Sequence, residues 1–112
     1  MCRVAGADRV GLRISPINPF NDMHDSNPQA LFEHVAEALN PFGLAYLHVM
    51  EGGIGAADEL PGFDFAALRR AYRGVYMANS GYDKARANRV IAENKADCVA
   101  FGMLYIANPD LV

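Results

Sequence analysis

One unit recurs along this chain and leaves little freedom in how it can fold: a short apolar run, a loop, and a helix announced by a capping side chain. The runs are Val10–Ser15, Leu44–Met50, Val75–Ala78 and Cys98–Phe101. Pro16 and Pro19 close the first, because proline cannot donate to a strand ladder. The second, Leu44-Ala45-Tyr46-Leu47-His48-Val49-Met50, is apolar nearly throughout, as suits a strand covered on both faces. Helix starts stand between the runs. Asn27-Pro28, Asp64 and Asp83 each offer a side-chain oxygen to the first free N–H groups of a helix, and Asn108-Pro109 repeats the first of them. The first helix carries Leu31, Val35, Ala38 and Leu39 on one face and ends at Asn40-Pro41-Phe42-Gly43. The second carries Leu68, Ala71 and Tyr72 and closes at Gly74. The third turns Ala87, Val90 and Ile91 inward, with Asn94 as its C-cap.

Strands alternating with helices imply parallel strands joined by right-handed crossovers. The strands begin near residues 10, 44, 75 and 98. A (β/α)8 barrel of about 250 residues averages about 31 per unit, close to these spacings. The loops leaving strand C-termini, 16–26 and 51–63, are long, and the returning ones are short. That asymmetry predicts a functional face at the carboxyl ends of the strands. Four such units make either a small open sheet or part of a barrel, and pattern alone allows both. In an open sheet the first and fourth strands would be edges with unpaired backbone groups.

The chain's 112 residues suffice for one domain with a modest core. With 52% hydrophobic and 21% charged residues the composition is that of a folded protein. A formal charge of −3 argues against nucleic acid or an anionic membrane surface as partner. No apolar run approaches the roughly 18–20 residues of a membrane span, and MCRVAGADRVG has no apolar signal core. Cys2 and Cys98 make no disulfide framework, so a reducing cytoplasm is expected.

Taken in order, Val10-Gly11-Leu12-Arg13-Ile14-Ser15-Pro16, Gly43-Leu44-Ala45-Tyr46-Leu47-His48, Ser80-Gly81-Tyr82-Asp83, Ala96-Asp97-Cys98-Val99-Ala100-Phe101-Gly102 and Ile106-Ala107-Asn108-Pro109-Asp110-Leu111 resemble the Old Yellow Enzyme family. The resemblance covers roughly residues 8–112 and implies an FMN-dependent, NAD(P)H-using reductase of activated alkenes on a (β/α)8 barrel. It implies that residues 1–112 are strands five to eight of that barrel, its C-terminal half, truncated at both ends and inactive alone. By resemblance Arg13 lies at the isoalloxazine edge, where a fixed cation favours the anionic reduced flavin. Asn79, Ser80 and Gly81 correspond to the turn whose backbone N–H groups approach the FMN phosphate, and Phe101 and Gly102 to the strand end that completes that site. Met103 stands where the family usually has Arg or Lys, and a thioether cannot pair with a phosphate dianion. The family's substrate-carbonyl clamp and its proton-donating tyrosine have no counterpart here. Tyr46, Tyr72, Tyr76, Tyr82 and Tyr105 all fall elsewhere.

Plainer readings stand beside these. Ser80-Gly81 is also an ordinary turn, and Arg13 could be a structural arginine near a strand end. Gly52-Gly53-Ile54-Gly55 lacks the lysine of a phosphate loop and reads as a flexible loop. His24, His34 and His48 lack metal-ligand spacing; His34 is expected to face solvent and His48 to be a hydrogen-bonded core residue. Cys98 reads as a small buried hydrophobe. Two further functions fit the pattern: a non-catalytic half-barrel that homodimerises through its exposed edge strands, and an open α/β module binding a phosphorylated ligand between Ser80 and Gly102.

Overall fold

In the computed structural model residues 1–16, 26–51, 63–108 and 110 are described. The readings of residues 52–55 and of His24 lie outside them. The elements in chain order are α1 (Cys2–Ala5), β1 (Gly11–Ile14), α2 (Pro28–Leu39), β2 (Tyr46–Met50), α3 (Phe65–Ala71), β3 (Tyr76–Asn79), α4 (Lys84–Ala92), β4 (Cys98–Ala100) and α5 (Met103–Ala107). All four strands are parallel and lie in sequential order β1-β2-β3-β4. A doubly wound sheet reverses its strand order at a switch point; a barrel never does. The sheet is therefore an arc of a barrel and not a small doubly wound sheet.

Three of the expected helix starts are capped as predicted, while the helix expected from Asn108-Pro109 lies outside the described residues. Ala30 N donates to Asn27 Oδ1 (3.3 Å), Ala67 N to Asp64 Oδ1 (3.1 Å) and Arg86 N to Asp83 Oδ1 (2.7 Å). After α4, Asn94 takes φ 57°, Lys95 N donates to Val90 O (2.9 Å) and Asn94 N to Ile91 O (3.0 Å), the two bonds of a Schellman stop. Helices α2 and α3 are tied at both ends. Asp64 N donates to Gln29 Oε1 (2.8 Å), while Asn40 accepts from Arg73 N and donates to Ala71 O, both at 2.8 Å.

Strand register divides the sheet into two faces. Ile14, Leu47, Val49, Tyr76 and Ala78 share one face and are buried with Ala36, Leu68 and Ala87 of the helices. Here α2 departs from expectation: Leu31 is 41% exposed and Ala38 is exposed, whereas Ala36 is fully buried with Phe32 and Leu39 packed around it. The inward stripe runs through 32, 36 and 39, an equally helical spacing set by how the helix rolls onto the sheet. On α4, Ala87 and Val90 face in, but Ile91 is 46% exposed, one residue off the stripe. After Gly102 a five-residue helix forms where only a brief crossing segment is expected. Asn108 closes it, its N–H and its Nδ2 both reaching Leu104 O, at 3.0 and 3.1 Å.

Asp97 joins the starts of β3 and β4. Its Oδ2 accepts from Tyr76 N (2.8 Å) and its Oδ1 from Arg69 Nη2 (2.9 Å). Asp97→Ala leaves the buried strand start with an N–H lacking its acceptor, and is expected to cost about 2 kcal/mol in urea unfolding. An unchanged midpoint would show that water replaces the carboxylate.

Candidate functional site

The opposite sheet face carries Gly11, Arg13, Tyr46, His48, Met50, Met77, Asn79, Cys98 and Ala100 by register and alternation. Among the described residues the helices that build the core lie on the other face, and the C-terminal margin of this one is where the sequence predicts a site. At its N-terminal margin the Tyr46 ring lies over Gly11 so closely that a Cβ there would meet ring carbons at 2.2 Å.

Arg13 is exposed on this face, with its Nη2 3.7 Å from Met50 Sδ. Among the described residues it makes no ion pair. The neighbouring His48, in register with Arg13, is partly buried, and its Nε2 has no hydrogen-bond partner among the described residues. The expected hydrogen-bonded core histidine is thus corrected: it is only partly buried, and its buried Nε2 has no hydrogen-bond partner among the described residues. Burial, and then the Arg13 charge, hold its imidazole below the ordinary value of 6.5. The unfolded chain consequently binds this proton more readily than the folded one. Stability is whole above the ordinary imidazole pKa and falls as pH drops below about 6.5. A His48→Gln variant is expected to flatten that decline in denaturant midpoints measured from pH 7.5 to 5; the same slope as the parent would assign it to another group.

The turn after β3 is unusual. Ser80 has φ 95° and Gly81 φ 65°, two consecutive residues in the left-handed half of backbone space. A serine there persists only where its surroundings hold it. Asn79 is fastened across the sheet, its Nδ2 donating to Ala100 O (2.8 Å). Beside it on the next strand, Phe101 packs against the core and Gly102 precedes α5, with nothing within 4 Å of where a Cβ would stand. Met103 is the first residue of α5. Asn79, Ser80 and Gly81 therefore stand beside Phe101, Gly102 and Met103 at the ends of neighbouring strands. Arg13 is two strands away, roughly 10 Å at ordinary strand spacing.

Sequence reasoning missed Glu51. It follows β2 directly and its carboxylate accepts from Tyr76 Oη (2.9 Å) and from Tyr82 Oη. Those hydroxyls are thereby engaged, and burial with the Glu51 charge pushes the Tyr76 phenol above its ordinary range. The only signal in the sequence was a carboxylate placed directly after an apolar strand. Cys98 is partly buried, and burial raises its thiol pKa, which suits an inert thiol. His34 is exposed, as expected.

Among the described residues, two cavities of about 360 and 350 Å3 lie away from Arg13 and Gly102, the second lined also by Glu51 and Tyr82. One is at the N-terminal ends of the strands, around Tyr72 and Gly74; the other lies between α3 and α4, around Phe65 and Val90. Neither is lined by Arg13, Ser80 or Gly102. Among the described residues no three His, Cys, Asp or Glu side chains gather as a metal site, and no helix is long and apolar enough to cross a membrane.

No protein-family model matches the chain. Individual proteins do. A 12-oxophytodienoate reductase-like protein of Solanum lycopersicum is 39% identical over 106 residues, and 12-oxophytodienoate reductase 2 of Arabidopsis thaliana 33% over 108. Each match takes in 95% of this chain but only 28% and 29% of the relative. Among solved structures, the old yellow enzyme from Trypanosoma cruzi superposes with a TM-score of 0.89 at 46% identity, covering 98% of this chain and 29% of that one. Morphinone reductase superposes at 0.86 with 38% identity, covering 98% and 30%. The chain thus spans about three tenths of the proteins it matches.

Proposed function

Since the chain is related in sequence and fold to Old Yellow Enzymes and 12-oxophytodienoate reductases, we propose that residues 1–112 supply strands five to eight of an FMN-binding ene-reductase barrel. The parent reaction on this reading is reduction of an activated, enone-type alkene at the expense of NAD(P)H. FMN, when bound, supplies the ring that accepts and donates the hydride. The residues of this chain bind and tune it. Arg13 holds a fixed positive charge at the isoalloxazine edge. The backbone of Asn79, Ser80 and Gly81, with that of Phe101, Gly102 and Met103, receives the phosphate.

The observation that carries this reading is the placement of an exposed arginine, without an ion pair among the described residues, on the same face and end of the sheet as two adjacent strand ends, one with consecutive positive φ angles. The separation of roughly 10 Å between them suits a ligand with an anion-stabilised ring at one end and a phosphate at the other. Met103 offers the phosphate no cation, so binding is expected to be weak.

Titration of FMN against the protein, followed by flavin fluorescence, tests the reading. Saturable binding is expected, weakened about tenfold or more by Arg13→Ala and strengthened about tenfold by Met103→Arg, because a charge-assisted bond contributes about 1.5–3 kcal/mol. No saturable change up to about 1 mM FMN, a free energy near −4 kcal/mol, would reject it.

A further inference from the structure

The turn between Asn79 and Tyr82 is held by a residue that lies outside the flavin reading. Glu51 N donates to Asn79 O (3.0 Å). The Glu51 carboxylate accepts from Tyr82 Oη. One residue thereby secures both ends of the turn, and the two positive-φ residues Ser80 and Gly81 lie between those ends. Tyr82 is 8% exposed and is fixed from its other side as well. The Arg86 guanidinium stands 4.6 Å over its ring, and Arg86 Nη1 donates to Gly81 O (3.1 Å).

We propose that Glu51 is a positioning residue which, through Tyr82, holds the Asn79–Gly81 backbone in its phosphate-receiving conformation and so sets the preference for phosphorylated over unphosphorylated ligands. The proposal rests on the reading of this turn as a phosphate contact. The chemistry calls for a carboxylate. Glu51 Oε1 serves Tyr76 and Oε2 serves Tyr82. A glutamine replaces one carboxylate oxygen with an NH2 that can only donate to a phenol oxygen and removes the charge, so both tyrosines lose a charge-assisted bond and the O–H facing the NH2 loses its carboxylate acceptor. Tyr76 is fully buried within the paired β3, whereas Tyr82 lies outside the strand ladder at the end of the turn.

The test compares FMN with riboflavin, which lacks the phosphate, in equilibrium titrations of the parent chain, Glu51→Gln, Tyr82→Phe and Tyr76→Phe. Glu51→Gln and Tyr82→Phe are expected to lower the FMN-to-riboflavin affinity ratio about tenfold, the scale of one hydrogen bond to a charged group. Tyr76→Phe is expected to leave the ratio unchanged. General destabilisation weakens both flavins together and does not move the ratio. Amide hydrogen exchange of Ser80, Gly81 and Tyr82 in the flavin-free protein gives a second readout, expected to quicken about tenfold in Glu51→Gln and Tyr82→Phe. A parent that prefers FMN, with variants that keep the preference, overturns the proposal and leaves the phosphate reading standing. Faster exchange in the variants of a parent with no preference for FMN rejects the phosphate reading and retains Glu51 as the residue that orders the turn. Unchanged exchange overturns the positioning role itself.

Discussion

Supplied with FMN and NADPH, the purified 112-residue chain is expected to reduce a cyclic enone no faster than free FMN does. Saturating the alkene needs a proton as well as a hydride, and a positioned general acid contributes about 10²–10⁴ in rate. The tyrosines are placed for other tasks. Tyr76 and Tyr82 spend their hydroxyls on Glu51. Tyr46 lies over Gly11 at the N-terminal margin of the sheet, away from the strand ends that carry Arg13 and Ser80. Tyr72 is buried in the core beside Gly74, and Tyr105 stands 51% exposed on α5. Arg13 can stabilise negative charge, but an arginine does not surrender a proton at neutral pH. Steady-state NADPH oxidation under anaerobic conditions, with free FMN as the background, measures the outcome. Turnover clearly above that background would mean that this chain holds a proton donor and a carbonyl clamp of its own.

Leu68→Ala is expected to abolish the cooperative unfolding transition. Leu68 is fully buried on α3 among Leu47, Val49 and Tyr76, the residues that fasten the helical layer to the sheet. Truncating a buried leucine costs about 2–5 kcal/mol, lost transfer free energy plus the cavity left behind. A domain has about 5–15 kcal/mol in total. Among the described residues the core helices cover one face of the sheet, and β1 and β4 have no further strand beside them, so the margin of this domain lies toward the low end. Circular dichroism against temperature reads the result. A melting point within about 4 °C of the parent, equivalent to roughly 1 kcal/mol, would show that α3 contributes little to the fold.

The strands and the helix caps were legible because each is a local property. A capping oxygen bonds N–H groups two or three residues ahead, so Asn27, Asp64 and Asp83 identify themselves without knowledge of the rest of the chain. The strand runs held to within a few residues for the same reason. The roll of α2 was not legible: stripes through Leu31 and through Phe32 have equal periodicity, and only the sheet beneath decides between them. Ile91 and the short helix after Gly102 failed likewise, since exposure and the path between elements depend on neighbours distant in sequence.

The site divides along the same line. Taken alone, the order of apolar runs, caps and glycines determined a parallel βα arrangement and predicted a functional face at the strand C-termini, and its ordered blocks carried the family resemblance. Tertiary structure decided that the strands lie in sequential order as a barrel arc, and that Arg13 and the Asn79–Gly81 turn share one margin of the sheet. It also decided that the buried Nε2 of His48 has no hydrogen-bond partner among the described residues, and that Glu51 secures a turn 28–31 residues further along the chain. The reason is physical. Backbone capping and alternation act over a few residues, while strand pairing and side-chain bonds such as Glu51 to Tyr82 form only once distant segments have been brought together, and no local pattern encodes which segment will arrive.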